Sequence, residues 1–563
     1  MRSDRRHRPL TATIVAVVLV AGCASAPTDE PAATPVRTAT APATAPPEPI
    51  AHRIGVRVVD GAGELYDVAS QQPFVPRGMN LIRLADGRHS TLDVGRFDAA
   101  AVTRALDAMA AAGYNTVRVF LDTFPGGLPG PGVTPLSDAY LDNVVALLEL
   151  AADRDIQVLL TTDWLPESPA YAFESDPGIE NVNAMYLSRG GVAANERFFA
   201  DFARGLVDRR ARLDALLAYE LRNELYFTNL FPPFSLSSGL VATANGRTYD
   251  VASVDDQIAM LEENLISWVD SMRAAILAVD PTALVTVGFF QPKGPNTSRV
   301  GDDRVIETRR VILESTADFI DLHGYPGGEL NLRQIVENFK VPGTTLKPIL
   351  LGEFGAERNA NATVEDAVRS LVEWQVESCE YGFDGWATWT WDSVEQPSFW
   401  NALDGNGAIA EALSPAARPD PCSIGDLDIA QELTRGATAT ASSALPDRPA
   451  ALAIDGLFDT LWNAVTGPPQ WIEIDLGRPR TVAQIRLTVA QDPAGQSRHV
   501  VSVRGDGGAW RQVAVIERST ADGESLLVDL PASLVDVRFV RVETTGLAGG
   551  LWPAWREISV LGR

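Results

Sequence analysis

The stretch Leu217-Ala218-Tyr219-Glu220-Leu221-Arg222-Asn223-Glu224 runs from apolar residues into the polar pair Asn223 and Glu224. Strands buried in parallel sheets are short and rich in apolar residues. The pattern therefore predicts a buried strand over residues 216–224 with a polar carboxyl end. Because ligands bind at the carboxyl ends of parallel strands, Glu224 is the first candidate for a catalytic group.

Apolar runs of the same kind recur along the chain, and amphipathic segments separate them. The eight predicted strands cover residues 74–81, 115–121, 156–164, 216–224, 284–291, 319–325, 348–354 and 383–391. Segments such as 99–112, 139–154, 196–209, 258–279 and 364–381 repeat apolar residues at helical spacing. Such alternation indicates parallel βα units. We therefore expect an α/β fold, a (β/α)8 TIM barrel over residues 53–415 that starts with a β-hairpin.

The longest predicted loop, residues 225–256, follows Glu224 directly. It contains four aromatic residues, Tyr226, Phe227, Phe231 and Phe234, and an Asn245-Gly246 pair typical of a hairpin turn. Long loops at the carboxyl end of a barrel carry specificity. We expect this loop to shape the choice of substrate.

The pattern changes after the barrel, where helix signals give way to short strands and turns. The predicted strands cover residues 470–476, 482–489, 499–504, 513–515, 525–530, 538–544 and 556–561. This spacing is typical of an all-β sandwich. We expect a jelly-roll domain over residues 428–563.

The amino terminus has the features of an export signal over residues 1–23. Basic residues precede an apolar run that is too short to span a membrane. Val20-Ala21-Gly22-Cys23 then resembles a bacterial lipoprotein processing box, which implies lipidation of Cys23 and an extracellular, lipid-anchored protein at the bacterial surface. A plain secretory signal cleaved near Ala24 or Ala26 is the alternative. Residues 24–52 are rich in Ala, Pro and Thr and are expected to form a disordered linker.

Charge and cysteine content narrow the partners and the compartment. The formal net charge is −26, with 47 basic and 73 acidic residues. This balance argues against nucleic acid and anionic membrane surfaces as partners, so we expect membrane contact only through the lipid. With Cys23 lipidated, Cys379 and Cys422 remain, and export permits a disulfide between them. Two buried thiols are the alternative.

A pair of glutamates stands at predicted strand ends. Hydrolysis of a glycosidic bond needs one carboxyl group that protonates the leaving oxygen and a second that attacks the anomeric carbon. Glu224 ends the fourth predicted strand and Glu353 ends the seventh. Strands of a barrel converge on one mouth, so the two side chains are expected to meet there.

Five short motifs around this pair carry a family resemblance. They are Gly113-Tyr114-Asn115-Thr116-Val117-Arg118, Arg222-Asn223-Glu224, His323-Gly324-Tyr325, Gly352-Glu353-Phe354-Gly355 and Trp389-Thr390-Trp391. In this order the motifs resemble glycoside hydrolase family 5, the cellulase family, over residues 74–391. The resemblance implies retaining hydrolysis of β-linked glycans, of β-glucan or β-mannan type, without a cofactor for catalysis.

The resemblance also implies roles for single residues. Glu224 would be the acid/base and Glu353 the nucleophile. Asn223 would bind the sugar 2-hydroxyl, Arg118 would keep Glu353 ionised, and Tyr325 would orient it.

The remaining contacts of the reacting sugar follow in the same way. His323 would bind near that sugar, and Trp391, or else Trp389, would stack on its apolar face. Alternation along a strand places both tryptophans on one side, so one of them is expected to fill the barrel. Where the family carries a histidine near the third strand, this chain has Asp163 and Trp164. We expect these two residues to take over that contact.

The carboxyl-terminal domain carries a second resemblance. The runs Asp455-Gly456-Leu457-Phe458-Asp459-Thr460-Leu461-Trp462-Asn463-Ala464 and Gln470-Trp471-Ile472-Glu473-Ile474-Asp475-Leu476-Gly477 resemble the discoidin, or coagulation factor 5/8 type C, domain. In bacterial hydrolases this domain overlaps carbohydrate-binding module family 32. The resemblance implies a structural Ca²⁺ held by Asp455, the carbonyl of Thr460, and Glu557. Trp552 or Trp555 could form a sugar platform, with core packing as the alternative for each.

These observations together predict a retaining β-glycoside hydrolase with a polysaccharide or oligosaccharide substrate, acting as a monomer. The alternative is a catalytically silent glycan-binding or adhesion lipoprotein. The sugar, the linkage, and exo or endo cleavage stay open.

Overall fold

We describe the fold from a computed structural model, which covers residues 50–82, 91–290, 303–326, 330–344, 346–393, 396–427, 429–457 and 460–563. The predicted signal peptide, Cys23 and the linker up to residue 49 lie outside these residues. Among the residues described, no helix is both long and apolar enough to cross a membrane.

The first part of the chain forms a parallel barrel. Its strands, with the short strands of its loops, are β1 (Ile54–Val59), β2 (Ala62–Asp67), β3 (Arg77–Leu81), β4 (Thr116–Leu121), β5 (Gln157–Thr162), β6 (Leu216–Glu220), β7 (Phe227–Thr228), β8 (Leu240–Ala242), β9 (Thr248–Asp250), β10 (Val285–Thr286), β11 (Gly288–Phe289), β12 (Arg304–Val305), β13 (Ile320–His323), β14 (Ile349–Phe354) and β15 (Gly385–Thr388). The hydrogen-bonded order in the central sheet is β10-β6-β5-β4-β3-β15-β14-β13-β11. Only Val287 separates β10 from β11, so the sheet nearly closes on itself. The predicted (β/α)8 architecture is confirmed.

Helices surround this sheet. They are α1 (Ala99–Ala111), α2 (Asp138–Ala152), α3 (Asn183–Leu187), α4 (Arg189–Asp208), α5 (Val254–Leu277), α6 (Arg309–Glu314), α7 (Leu332–Asn338), α8 (Val364–Glu380) and α9 (Asp404–Ala412). Side-chain caps fix several starts: Ser253 accepts from the backbone of Asp256, and Thr363 and Asp366 form a reciprocal capping box. Each long helix turns its apolar face onto the sheet, which buries the main core.

Five of the eight predicted strands end earlier than expected, at Thr162, Glu220, Phe289, His323 and Thr388. β6 stops at Glu220, four residues before Glu224, and β15 stops at Thr388, before Trp389. The fifth predicted strand splits into β10 and β11, because β10 pairs with β6 while β11 pairs with β13 on the other side. These ends lie at the carboxyl mouth, where the chain leaves the regular sheet to place its side chains.

The amino-terminal hairpin of β1 and β2 closes the opposite end of the barrel. Its turn is Asp60-Gly61, with both residues at positive φ. Ile54 and Leu65 of the hairpin pack against side chains from the amino-terminal ends of the strands, including Leu217 and Phe319. This apolar layer leaves the carboxyl end as the face that can carry a polar site.

The second part of the chain is the antiparallel sandwich. Its strands are β16 (Gln431–Glu432), β17 (Thr438–Ala441), β18 (Trp462–Asn463), β19 (Gln470–Val489), β20 (Gly495–Arg504), β21 (Arg511–Thr520), β22 (Ser525–Leu547) and β23 (Ala554–Gly562). Trp462 and Trp555 are fully buried in its core.

Helix α8 is the surface of the barrel on which the sandwich packs. Arg486 of β19 pairs with Asp366 at 2.5 Å, with both side chains more than nine-tenths buried. The backbone of Glu432 donates to Glu373 at 2.7 Å. A disulfide joins Cys379 of α8 to Cys422, with the two Cα atoms 5.8 Å apart. The cysteine pairing that export permits is therefore present, and it ties α8 to the segment that leads into the sandwich.

Candidate active site

Glu224 is held by backbone pairing on both sides, although it lies beyond β6. The amide of Asn223 donates to the carbonyl of Thr162 at 2.8 Å, and the amide of Leu225 donates to the carbonyl of Gly288 at 2.8 Å. Between these two anchors Glu224 adopts a left-handed conformation with φ of 41°. Such a conformation is uncommon for residues other than glycine and is a recurring feature of functional sites. The side chain remains 31% exposed, so it faces the mouth.

Glu353 lies on β14 and is almost completely buried, with 3% of its side chain exposed. Nη1 of Arg118 donates to Oε1 of Glu353 at 2.6 Å. The hydroxyl of Tyr325 donates to the other carboxyl oxygen, Oε2. Both donors favour the ionised carboxylate. The structure thus brings together the three residues that the sequence assigned to the nucleophile.

Arg118, on β4, is the centre of a buried polar layer below the mouth. Its Nε and Nη2 form a two-point contact with Glu220, at 2.7 and 2.8 Å. Nη2 also donates to Oδ1 of Asn223 at 2.8 Å, and Nη1 donates to Asn80 at 2.9 Å. A planar guanidinium can serve such a fork of acceptors, whereas a lysine ammonium cannot. Arg118 therefore fixes Glu353 and Asn223 relative to each other.

His323 lies between the two glutamates and is fully buried. Its Nδ1 is 3.2 Å from Oε1 of Glu224 and 3.5 Å from Oε2 of Glu353. Burial by itself lowers the pKa of His323, but the carboxylates of Glu353, Asp321 and Glu224 outweigh it and raise the pKa to about 10. His323 thus supplies a positive charge beside the acidic pair.

The two candidate catalytic carboxyl groups are close enough to titrate together. One carboxyl oxygen of each lies within 4.8 Å of the other. Burial raises the pKa of Glu353 to about 7, against the lowering effects of His323 and Arg118. Burial acts in the same sense on Glu224, but the hydrogen bond and the charge of His323 bring its pKa below the usual value. Glu353 is therefore the glutamate that holds a proton more readily in the free site.

Asn223 is oriented from both sides of its amide. Oδ1 accepts from Arg118, and Nδ2 donates to Oδ1 of Asp163 at 2.9 Å. Asp163 also lies 3.3 Å from Nη1 of Arg222, whose guanidinium stacks 4.2 Å above the ring of Trp164. Asp163 and Trp164 therefore stand beside the site, with Asp163 oriented by its contacts with Asn223 and Arg222.

The two tryptophans at the end of the eighth strand separate into different clusters. Trp389 packs with Phe120 and Phe399 in the group that also contains Tyr325. Trp391 packs into the main core, and both rings are more than nine-tenths buried. β15 ends at Thr388, so strand alternation does not extend to these residues, and the two rings pack in different clusters. Trp389 is the one that shares a cluster with Tyr325, the residue that donates to Glu353.

Among the barrel residues that the structure describes, two groups of side chains have the spacing of metal ligands. They are Glu220, Asp321 and His323, and Glu224, His323 and Glu353. The guanidinium of Arg118 already contacts Glu220 at 2.7 Å, Glu353 at 2.6 Å and Asp321 at 3.4 Å. A fixed cation in this position opposes the binding of a second one. The arrangement fits acid/base chemistry by the carboxyl groups themselves.

In the sandwich, the residues expected to hold Ca²⁺ lie near one another. The Thr460 hydroxyl is 3.0 Å from both carboxyl oxygens of Asp455, and the Gly456 amide donates to Oε2 of Glu557 at 3.2 Å. Burial, with Glu432 and Asp455 nearby, raises the pKa of Glu557 well above its usual range. A bound cation that prefers oxygen ligands would reduce the repulsion between these closely spaced carboxyl oxygens. Asp455 and Glu557 supply carboxyl oxygens, the ligand type that Ca²⁺ prefers.

The two candidate tryptophans of the sugar platform differ in exposure. Trp555 is buried and packs edge-on against His499, with ring centres 4.7 Å apart. Trp552 is 45% exposed and lines a cavity of about 540 Å³ together with Asn463, Asp522 and Arg556. Of the two, Trp552 is the ring that a sugar could reach.

Residues 70–395, more than half of the chain, match the family Cellulase (glycosyl hydrolase family 5). The chain belongs to this family. It is a glycoside hydrolase, and residues 438–558 match the F5/8 type C domain. No curated protein matches the chain.

Solved structures similar to the hydrolase include a mannanase, a mannosidase and a carbohydrate-binding module. The endo-1,4-β-mannanase from Rhizomucor miehei is 14% identical, with a TM-score of 0.44 and coverage of 64% of this chain and 99% of that one. An exo-β-1,4-mannosidase from an Opitutaceae bacterium is 18% identical, with a TM-score of 0.42 and coverage of 63% and 58%. A family 32 carbohydrate-binding module from C. perfringens, in complex with galactose, is 21% identical, with a TM-score of 0.21 and coverage of 23% and 97%.

Sequence reasoning missed part of this hydrolase's site. Glu220, Asp321 and Asn80 are buried around Arg118, and Arg222 supports Trp164 and Asp163. The available signal was a charged or amide side chain inside an apolar run, as in Phe319-Ile320-Asp321-Leu322. A polar residue at an inward position of a buried strand needs a partner, and that need identifies it as part of a network.

Proposed function

We propose that this hydrolase cleaves β-linked glycans, of β-glucan or β-mannan type, with retention of configuration. The observation that carries the proposal is the distance between the two carboxyl groups, with oxygens of Glu224 and Glu353 within 4.8 Å. Retaining enzymes place these groups about 5–5.5 Å apart, whereas inverting enzymes need about 6.5–9.5 Å to admit a water. The spacing supports direct attack by a carboxylate.

In the first step, Oε of Glu353 attacks the anomeric carbon while Glu224 gives its proton to the leaving oxygen. The bond to the leaving group breaks and an ester to Glu353 forms. In the second step, Glu224 takes a proton from water, and the water oxygen displaces Glu353. Arg118 and Tyr325, which donate to Glu353, stabilise its charge whenever it is free of sugar.

Substrate binding moves the proton that Glu224 and Glu353 share onto Glu224, the acid/base. In the free site Glu224 is partly exposed and next to His323, so its charged form is solvated. A sugar that covers Glu224 removes this water and raises the cost of its charge. Glu353 keeps its donors from Arg118 and Tyr325. The proton therefore moves to Glu224 when substrate binds, which prepares both groups.

The stereochemical course tests the proposal. Proton NMR of an aryl β-glycoside digest should show the β-anomer of the free sugar first, followed by slow mutarotation. Initial α-anomer would show inversion. Glu353→Gln should abolish turnover, and hydrolysis at the wild-type rate by that variant would overturn the assignment. A catalytically silent glycan-binding protein would give no turnover at all.

The sandwich is proposed to bind glycan through Trp552. Its exposed ring, with the Asp522–Arg556 pair at 2.8 Å beside it, combines a stacking surface with hydrogen-bonding groups. Trp552→Ala should weaken the binding of the protein to an insoluble β-glycan, measured as retention on that glycan, and leave hydrolysis of a soluble aryl glycoside unchanged. Unchanged retention would contradict this part of the proposal.

Two further assignments are proposals of the same kind. Ca²⁺ at Asp455, Thr460 and Glu557 would stabilise the sandwich, so chelation should lower its unfolding temperature and Ca²⁺ should restore it. Lipidation of Cys23 would anchor the protein outside the cell at the bacterial surface, and Cys23→Ser should then release it from the membrane fraction.

A further inference from the structure

Asp321 is a buried carboxylate that the proposed two-step reaction does not use. It lies on β13, two residues before His323, and none of its surface is exposed. Neither of its carboxyl oxygens has a hydrogen-bond partner among the described residues. A buried carboxylate without a hydrogen bond is uncommon, even with the guanidinium of Arg118 at 3.4 Å.

The chain makes room for this carboxylate. A Cβ atom at Gly352 would lie 2.0 and 2.1 Å from the two oxygens of Asp321. Any other residue at 352 would displace Asp321, or Glu353 next to it. The glycine therefore allows Asp321 to remain at this depth below the mouth.

The imidazole ring of His323 has Asp321 near one nitrogen and Glu224 near the other. Oδ2 of Asp321 is 3.7 Å from Nε2 of His323, and Nδ1 on the other side of the ring is 3.2 Å from Oε1 of Glu224. If either ring nitrogen lacked its proton, its lone pair would face the negative charge of a nearby carboxylate, which is unfavourable. Both ends are acidic, so the geometry favours a proton on each nitrogen.

We propose that Asp321 is a positioning residue for Glu224: it keeps the ring of His323 doubly protonated, with Nδ1–H directed at the acid/base. This inference rests on the proposed function of Glu224. His323 in turn stabilises the carboxylate of Glu224, the form that must accept a proton from water in the second step.

Charged groups from several elements, among the described residues, surround His323 and enter this balance. Its own strand segment contributes Asp321 and Tyr325. Glu220 faces it from β6, Glu224 from the segment after β6, and Glu353 from β14. Arg118 on β4 is a second cation at the site, 3.4 Å from Asp321, and the charge of Arg304 also acts on Glu224. The pKa of His323, raised to about 10, agrees with a ring held between acids.

A purely structural role for Asp321 is the competing explanation, because Asp321 also offsets the charge of Arg118. The variant Asp321→Asn keeps the shape and removes the charge. The matched control is Asp318→Asn, three residues earlier in the chain. Asp318 forms an ion pair of 2.8 Å with Arg273, outside the site, and the substitution breaks that pair. Both variants should fold, as judged by thermal unfolding and circular dichroism.

The direct measurement is the protonation of His323 by nitrogen-15 NMR of the full chain, with His323→Gln used to assign its signals. At pH 8 the wild type and Asp318→Asn should show both ring nitrogens protonated, and Asp321→Asn should show one. A singly protonated ring in the wild type would overturn the inference, even if Asp321→Asn does not fold. A doubly protonated ring in Asp321→Asn would overturn it as well.

Kinetics separates positioning from a general loss of structure. The hydrolysis of a phenyl β-glycoside needs a proton from Glu224, whereas a dinitrophenyl β-glycoside leaves without one. General acid/base groups contribute about 10²–10⁴-fold, so Asp321→Asn should lose at least about tenfold in kcat/KM on the phenyl substrate and much less on the dinitrophenyl substrate. Equal losses would refute the positioning role. A wild type that hydrolyses neither substrate would instead refute the proposed function.

Discussion

Tyr325→Phe tests how the site sets the charge of Glu353. The substitution removes one hydroxyl and keeps the ring, which packs against Phe399 with ring centres 5.3 Å apart. The hydroxyl donates to Oε2 of Glu353 in a buried site, and a hydrogen bond to a charged group contributes about 1.5–3 kcal/mol. Because each pKa unit corresponds to about 1.4 kcal/mol, the pKa of Glu353 should rise by about one to two units from its value near 7.

The direction of this pKa shift follows from the protonation state of Glu353 that the hydroxyl of Tyr325 stabilises. The hydrogen bond stabilises the ionised carboxylate, so its loss favours the protonated form. The profile of kcat/KM against pH, measured with an aryl β-glycoside, reports ionisations of the free enzyme. Its alkaline limb, set by the last proton of the Glu224–Glu353 pair, should move upward by about one to two pH units. The value at pH 6 should fall by about 10–150-fold, since less Glu353 is ionised and its charge is less stabilised.

The control is Tyr171→Phe, which removes a hydroxyl bonded to Asp201 at 3.2 Å outside the site. This variant should leave both limbs of the profile unchanged. An alkaline limb that stays in place or moves downward in Tyr325→Phe would refute the reasoning.

Three further outcomes follow from the structure. Asp163→Asn removes the charged group that accepts from the Asn223 amide, so kcat/KM should fall by about tenfold. The loss should be smaller on a 2-deoxyglycoside, which lacks the hydroxyl that Asn223 is proposed to bind. Equal losses on the two substrates would argue against that contact. Replacing Cys379 and Cys422 by serine opens a link across a sequence separation of 43, so the free energy of unfolding should fall by up to about 4 kcal/mol with kcat retained, as seen by thermal denaturation and kinetics. Burial lowers the pKa of His499 to about 4, so the folded sandwich should lose stability as the pH falls from about 6.5 towards 4. Acid unfolding, followed by tryptophan fluorescence, should begin in that pH range. A sandwich that is equally stable across the range would contradict this prediction.

Much of the barrel could be predicted because each element follows a local rule. The helix over residues 99–112 is visible as apolar spacing, and α1 spans Ala99–Ala111. The two glutamates were identified because each follows an apolar run, and parallel strands bring such ends together. Their meeting at 4.8 Å or less depends on the barrel, but their order along the chain already indicated it.

The parts that could not be predicted depend on contacts between distant segments. The fifth strand divides at Val287 because its halves pair with different neighbours, and one sequence does not show its neighbours. Glu224 lies in a left-handed turn because Asn223 and Leu225 bond to separate strands. Trp389 and Trp391 diverge beyond the end of β15, where the alternation rule no longer applies.

The same reason explains why the buried layer was missed. Asp321 stands between apolar neighbours, and its meaning becomes visible only with Arg118 at 3.4 Å and His323 at 3.7 Å. Both partners come to it through the packing of the strands. A charged residue inside a buried strand predicts a network but does not identify the members.

The most direct test of the two-step mechanism is to trap its intermediate. A 2-deoxy-2-fluoro-β-glycoside with a dinitrophenyl leaving group should form an ester that is hydrolysed slowly. Digestion and mass spectrometry should then find the added fluorosugar on the peptide that contains Glu353, with release of about one equivalent of dinitrophenol per enzyme. A label on Glu224 or any other residue, or an enzyme that turns over normal substrate without ever being labelled, would contradict the assignment of Glu353 as the nucleophile.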